Sequence, residues 1–186
     1  MLFHASKIPS LTVLKPNISN HGELLVYLSR KRENVLVYLT NAVEKHCKNT
    51  GFQHNCIYKT WGSYGFTESG ILRLEEYYPN ATIDTYNNES GYIYSVNHIE
   101  NCRNQADIPY AVVSENEVAV ADCEYIPNAY EAILRAVENG EIFLQKYEDN
   151  NLAMLNWIEE TIKSEYKNAE HHPEYKDFLK AKFDFL

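Results

Sequence analysis

Leu2-Phe3-His4-Ala5-Ser6 places a histidine, a small residue and a hydroxyl at the end of a short apolar run. An imidazole accepts, donates or moves a proton near neutral pH, so any chemistry here turns on what His4 faces. Two later stretches carry complementary groups. Val26-Tyr27-Leu28-Ser29 is an apolar run with one polar aromatic ring, and Asn116-Glu117-Val118-Ala119-Val120-Ala121-Asp122 is a strand-like run opening with a carboxylate. A histidine, a tyrosine and a glutamate on separate strands are the parts of one site. Taken singly, each also has a plainer reading: His4 as a hydrogen-bonded residue at a strand end, Tyr27 and Tyr38 as core rings, and Glu117 as a solvated turn residue. Glu115 is the reserve carboxylate.

The elements that must position these groups can be read from spacing. Residues 2 to 4 and 11 to 14 read as extended pieces, Asn20-His21-Gly22-Glu23 as a turn, and Leu24 to Leu28 as a buried strand. Ser29 then stands as a candidate cap for a helix from Arg30 to about His46, in which Val35, Leu36, Leu39, Ala42, Val43 and His46 recur at helical spacing. Asn49 to Phe66, broken by glycines among aromatics, reads as loop and hairpin. Ile71 to Leu74, Gly91 to Val96, Ala111 to Val113 and Val118 to Ala121 read as short strands, and Glu75 to Tyr86 as a short helical or irregular stretch interrupted by Pro79. After Ile126-Pro127 the pattern turns helical. Asn128 to Asn139 is stopped by Gly140, Asn151 to Lys167 follows, and Pro173 stands near the start of a last helix. The expected class is α+β with mainly antiparallel sheets, a body over residues 1–126 and a helical C-terminal extension over 127–186 packed on it.

Composition narrows the function classes. With 186 residues the chain suffices for one well-cored domain with an appendage. A net charge of −9 argues against affinity gained by neutralising phosphates, so strong generic nucleic-acid binding is not expected. No apolar run reaches the ~18 residues of a membrane span, and Lys7 and Pro9 interrupt the start where a signal peptide would be apolar. The protein is therefore expected to be cytoplasmic, away from membranes, with Cys47, Cys56, Cys102 and Cys123 as free thiols. His46-Cys47 with His54 and Cys56, or His98 with Cys102, supply metal-ligand types without a standard zinc spacing, and no metal is expected. Arg30-Lys31-Arg32 reads as a solvated helix start or as a contact for an acidic group.

His4-Ala5-Ser6, Tyr27-Leu28-Ser29 and Asn116-Glu117 resemble the three signature strands of the ADP-ribosyltransferase superfamily in its His-Tyr-Glu branch, which holds the diphtheria-toxin-like enzymes and the poly(ADP-ribose) polymerases. Tyr38 lies where polymerase-like members place a second tyrosine, and Asn116 to Asp122 is similar to their last motif, Asn-Glu-Tyr-Ile-Val-Tyr-Asp. The resemblance covers roughly residues 1 to 126. It implies a split, mainly antiparallel β-sheet fold that binds NAD as substrate, cleaves the nicotinamide–ribose bond and transfers ADP-ribose to a protein, nucleic acid or small-molecule acceptor. It further implies that Glu117 is catalytic, stabilising positive charge on the ribose, and that His4, Ala5, Ser6, Tyr27 and Tyr38 bind the cofactor. In this scheme His4 holds a ribose hydroxyl, the Ala5 backbone fixes the carboxamide, and the two tyrosines sandwich the nicotinamide. Two departures stand out: Ala5 replaces the usual glycine, and Val35 stands where the polymerases have a serine that holds the same amide. These motivate the alternative of an inactive interaction module. The related RNA 2'-phosphotransferase chemistry needs arginines that are not evident near His4.

Overall fold

The computed structural model describes residues 1–18, 23–55, 57–97 and 99–186. Most of the predicted turn Asn20-His21-Gly22-Glu23 lies outside them, as do Cys56 and His98 of the two possible metal clusters. Among the described residues the architecture is α+β with mostly antiparallel sheets and five α-helices.

The main sheet runs β11(Asp122–Ile126)-β7(Gly91–Val96)-β1(Leu2–Ser6)-β4(Leu24–Ser29)-β9(Ala111–Ser114)-β8(Cys102–Asn104), and β3(Asn17–Ile18) pairs with the start of β4. β1 pairs along its whole length with β7, from Leu2 opposite Val96 to Ser6 opposite Tyr92. Towards β4 its pairing is confined to Phe3 opposite Ser29. The sheet therefore has a seam between β1 and β4, while β4 continues into β9 with Val26 opposite Ser114 and Ser29 opposite Ala111.

Side chains alternate across this sheet. Leu2, Val26, Leu28, Tyr94, Val96 and Val112 pack on one face with Leu14 and Val118, which belong to a small ribbon of β2(Val13–Leu14) and β10(Val118–Ala119). Phe3, Ala5 and Ile93 face the other way, into a core with a 3-10 helix over Glu33–Leu39, helix α3(Ala129–Glu138) and a three-stranded sheet of β5(Tyr64–Phe66), β6(Leu72–Glu75) and β12(Ile142–Gln145). Gly91 permits this packing, because a Cβ there would lie 2.8 Å from the Leu39 Cδ2 atom and 3.1 Å from the Ser6 carbonyl oxygen. A third core joins α1(Ala42–Thr50) and Tyr78 to α4(Leu152–Asn168) and α5(Pro173–Lys182), with Ala81 contributed by α2(Ala81–Tyr86).

Several boundaries differ from the sequence reading for local reasons. The single helix expected from Arg30 to His46 is two: the 3-10 helix ends at Thr40 in extended backbone, and Asn41 begins α1 by accepting a bond from Val43 N–H. An asparagine side chain competes well for such an orphan N–H, so it restarts the helix rather than continuing it. β11 is an edge strand whose first four residues are exposed, a pattern with no apolar alternation to find. The C-terminal part is not wholly helical. β12 follows Gly140, whose φ of +75° ends α3, and pairs in parallel with β6, Ile142 opposite Leu72. α3 and β12 thus share a core with the strands before residue 126.

Asn41 also donates through Nδ2 to the Lys59 carbonyl at 3.1 Å, tying the loop before β5 to the start of α1. Asn41→Ala is expected to lower the unfolding free energy by about 1–2 kcal/mol, a typical cap loss, measured by urea denaturation; an unchanged midpoint would remove the cap from this account.

Candidate functional site

The seam between β1 and β4 opens into a cavity of 570 Å³, within the roughly 300–1,000 Å³ usual for small-molecule sites. β1 contributes His4 and Ala5, and β4 contributes Tyr27, Leu28 and Ser29. The 3-10 helix adds Asn34, Val35 and Tyr38; the last two are three residues apart, which this helix type brings onto one side. Tyr64, Gly65 and Phe66 of β5 form another wall, with Thr60 nearby, and the turn before β9 contributes Asp107.

His4 is fixed by the seam itself. Its Nδ1 donates to the Tyr27 carbonyl at 2.8 Å, a side chain bridging two strands that here lack a continuous ladder. Since a carbonyl only accepts, the proton sits on Nδ1. Burial holds the imidazole below its ordinary pKa, outweighing the opposing effect of that bond, so the ring is neutral at pH 7 and Nε2 is an acceptor. Such an atom accepts a hydrogen bond and does not pair with an anion. Tyr38 is about half exposed and meets Tyr64 edge to face, with ring centroids 5.9 Å apart and an interplanar angle of 89°. Burial and the neighbouring Tyr38 push the Tyr64 phenol far above its usual range, so it stays protonated.

Of the six residues expected from sequence, the structure brings His4, Ala5, Tyr27 and Tyr38 to one cavity. Ser6 is not in its lining; its Oγ accepts from the Ile8 N–H at 3.1 Å, and its backbone pairs with Tyr92. Glu117 is the larger correction. It precedes Val118 in the β2–β10 ribbon, which packs on the sheet face opposite the helix carrying Tyr38. Its carboxylate lies 3.5 Å from Lys15 Nζ, with the Glu117 side chain 59% exposed. The physical reason is that Asn116 to Asp122 is not one strand: β10 pairs with β2 and only β11 joins the main sheet, so the segment's start is carried away from the cavity. Among the described residues the carboxylate that lines the cavity is Asp107.

The basic stretch after β4 is engaged elsewhere. Arg32 makes a two-pronged contact with Glu124, both bonds at 2.7 Å. Arg30 donates to Asn104 at 3.1 Å, and Lys31 lies 4.2 Å from the centre of the Tyr110 ring. Among the described residues no group of three or more His, Cys, Asp or Glu is placed to hold a metal ion. Cys47, Cys102 and Cys123 are free thiols, and among the described residues no helix is long and apolar enough to cross a membrane.

Sequence reasoning missed Ser29, Asn34, Tyr64, Phe66 and Asp107. Of these, Ser29 stands in the Tyr27-Leu28-Ser29 stretch, and Asn34 is a buried amide at the head of an apolar run. The others depend on how the hairpin and the 105–110 turn fold over the seam. No protein-family model matches the chain, and neither does any curated protein or any solved structure.

His4→Ala removes the donor that satisfies the Tyr27 carbonyl and is expected to cost about 1–3 kcal/mol in urea denaturation. The sign with pH follows from burial of the neutral ring: below its ordinary value of 6.5 the unfolded chain binds more protons than the folded one. The advantage of the parent over His4→Ala should be full above that pH and shrink as pH falls below it. An advantage that grows on acidification would show that the ring is charged in the folded state.

Proposed function

We propose that the protein is an ADP-ribosyltransferase-like NAD-binding protein whose cavity takes the nicotinamide and its adjoining ribose. The observation that carries this reading is the meeting of His4, Ala5, Tyr27 and Tyr38 in one cavity, from a strand, a second strand and a helix separated in sequence. Tyrosine rings suit a flat heterocycle, each stacking contact adding about 0.5–1.5 kcal/mol beyond burial. The Nε2 acceptor of neutral His4 suits a sugar hydroxyl.

In transfer, the bond between ribose C1′ and nicotinamide N1 breaks with its electron pair leaving on nicotinamide. The acceptor's lone pair bonds C1′ and its proton is lost to solvent or a base. Positive charge develops on the sugar, and a carboxylate beside it stabilises the transition state more than the ground state. Asp107 is the lining group of the right charge, and the role is assigned to it in place of Glu117. The placement of Glu117 and the apolar Val35 favour a second reading, a module that binds NAD without turning it over.

Calorimetric titration of NAD is expected to give saturable binding, weakened about 3- to 10-fold by Tyr27→Ala or Tyr38→Ala. Nicotinamide release, followed by chromatography, should fall about 100-fold or more in Asp107→Asn and be unchanged in Glu117→Gln. Absence of NAD binding by the parent at millimolar concentration would end the reading. Binding without release would select the non-catalytic alternative.

A further inference from the structure

β5 is the outer strand of the three-stranded sheet, and among the described residues it pairs only with β6. The Thr67 N–H donates to the Ile71 carbonyl at 2.9 Å, and the Glu75 N–H donates to the Ser63 carbonyl at 2.8 Å. In an antiparallel pair, residues that bond the partner alternate with residues whose backbone groups point away. Gly65, opposite Arg73, therefore faces β6, and the N–H and C=O groups of Tyr64 and Phe66 face outward. Among the described residues these groups have no backbone partner on that side. Tyr64, Gly65 and Phe66 all line the seam cavity. Strand side chains alternate between faces, so a cavity that meets three consecutive residues runs along the strand's free edge.

Exposed edges are commonly blunted by charged residues. β11 carries Asp122 and Glu124 and β8 carries Arg103, but β5 reads Tyr64-Gly65-Phe66 and has no charge. Gly65 answers no need within the chain: its φ is not left-handed, and a Cβ there would stand 3.7 Å from the Arg73 Nη2 atom, an ordinary contact. A glycine inside a strand weakens it and suits close approach by another backbone. The 67–70 turn that follows β5 abuts the turn carrying Asp107, since a Cβ on Gly70 would stand 3.7 Å from the Pro109 Cβ atom. Asp107 lines the cavity there and forms no ion pair among the described residues, whereas Arg30, Lys31 and Arg32 are each engaged. The free charge at this end of the edge is negative.

We propose that the free edge of β5 is a docking site for an extended, basic segment of a partner protein. The segment adds to the small sheet as a fourth strand and brings a lysine or arginine to the Asp107 end. Main-chain bonds to Tyr64 and Phe66 supply the affinity, and the carboxylate sets the register. The inference stands on strand geometry and is independent of the nucleotide reading.

The test measures fluorescence anisotropy of dye-labelled peptides without NAD. The peptides are Thr-Val-Thr-Lys-Val-Thr, the same sequence with glutamate for lysine, and two N-methylated forms of the lysine peptide, one for each alternate set of amides. The parent should bind the lysine peptide saturably and the glutamate peptide at least about threefold more weakly. One N-methylated form should bind at least about tenfold more weakly, while the other, whose methyl groups face solvent, is little changed. Phe66→Pro removes an outward N–H without touching the bonds to β6 and should weaken the lysine peptide about tenfold; the N-methylated pair decides the matter if this variant does not fold. Equal binding of all three lysine peptides, or no binding of any at millimolar concentration, would overturn the docking edge. Self-association of the parent in sedimentation, lost in Phe66→Pro, would overturn it in favour of a second copy of the chain.

Discussion

The bond from His4 Nδ1 to the Tyr27 carbonyl is the contact on which the rest of the structure turns. A continuous ladder between β1 and β4 would close the sheet and leave no cavity. An open seam without a replacement would leave buried backbone groups unmatched, a costly condition in a protein interior. One imidazole eases the conflict, since it donates to a carbonyl of the neighbouring strand. The same bond sets the tautomer and turns the remaining ring nitrogen into an acceptor, so a structural need defines the chemistry of the site.

The surroundings extend that logic. The walls from β4, β5 and the 3-10 helix are mostly apolar or aromatic, with a neutral histidine, an amide and one carboxylate as the distinctive polar groups. Arg30, Lys31 and Arg32 are held by Asn104, Tyr110 and Glu124, so the nearby positive charge braces the sheet edge and the 105–110 turn. Such a lining suits a flat ring better than a phosphate. The opposite face, covered by the β2–β10 ribbon, carries Glu117 at its margin against Lys15, where it answers the needs of the ribbon.

Much of the fold was legible because short-range signals agreed with the tertiary outcome. Alternation in Gly91 to Val96 marks β7 fully, and Asn128, Asn151 and Pro173 each mark a helix start the structure retains. Where the signal failed, the deciding interaction lay far away in sequence. β12 is four residues whose partner is β6, and β11 is a polar edge with no periodicity. The site shows the same division. His4 and Tyr27 were visible because each stands out on a short apolar strand that the structure retains. Glu117 was misplaced because a motif-like run does not say which strand its two halves will join, and Asp107 was invisible because it reaches the cavity on a turn whose path no local pattern sets.

A crystal structure of the protein soaked with nicotinamide tests the central claim most directly. The account expects the ring to lie in the seam cavity between Tyr27 and Tyr38. A ring bound elsewhere on the molecule, or an unaltered cavity at saturating nicotinamide, would contradict it.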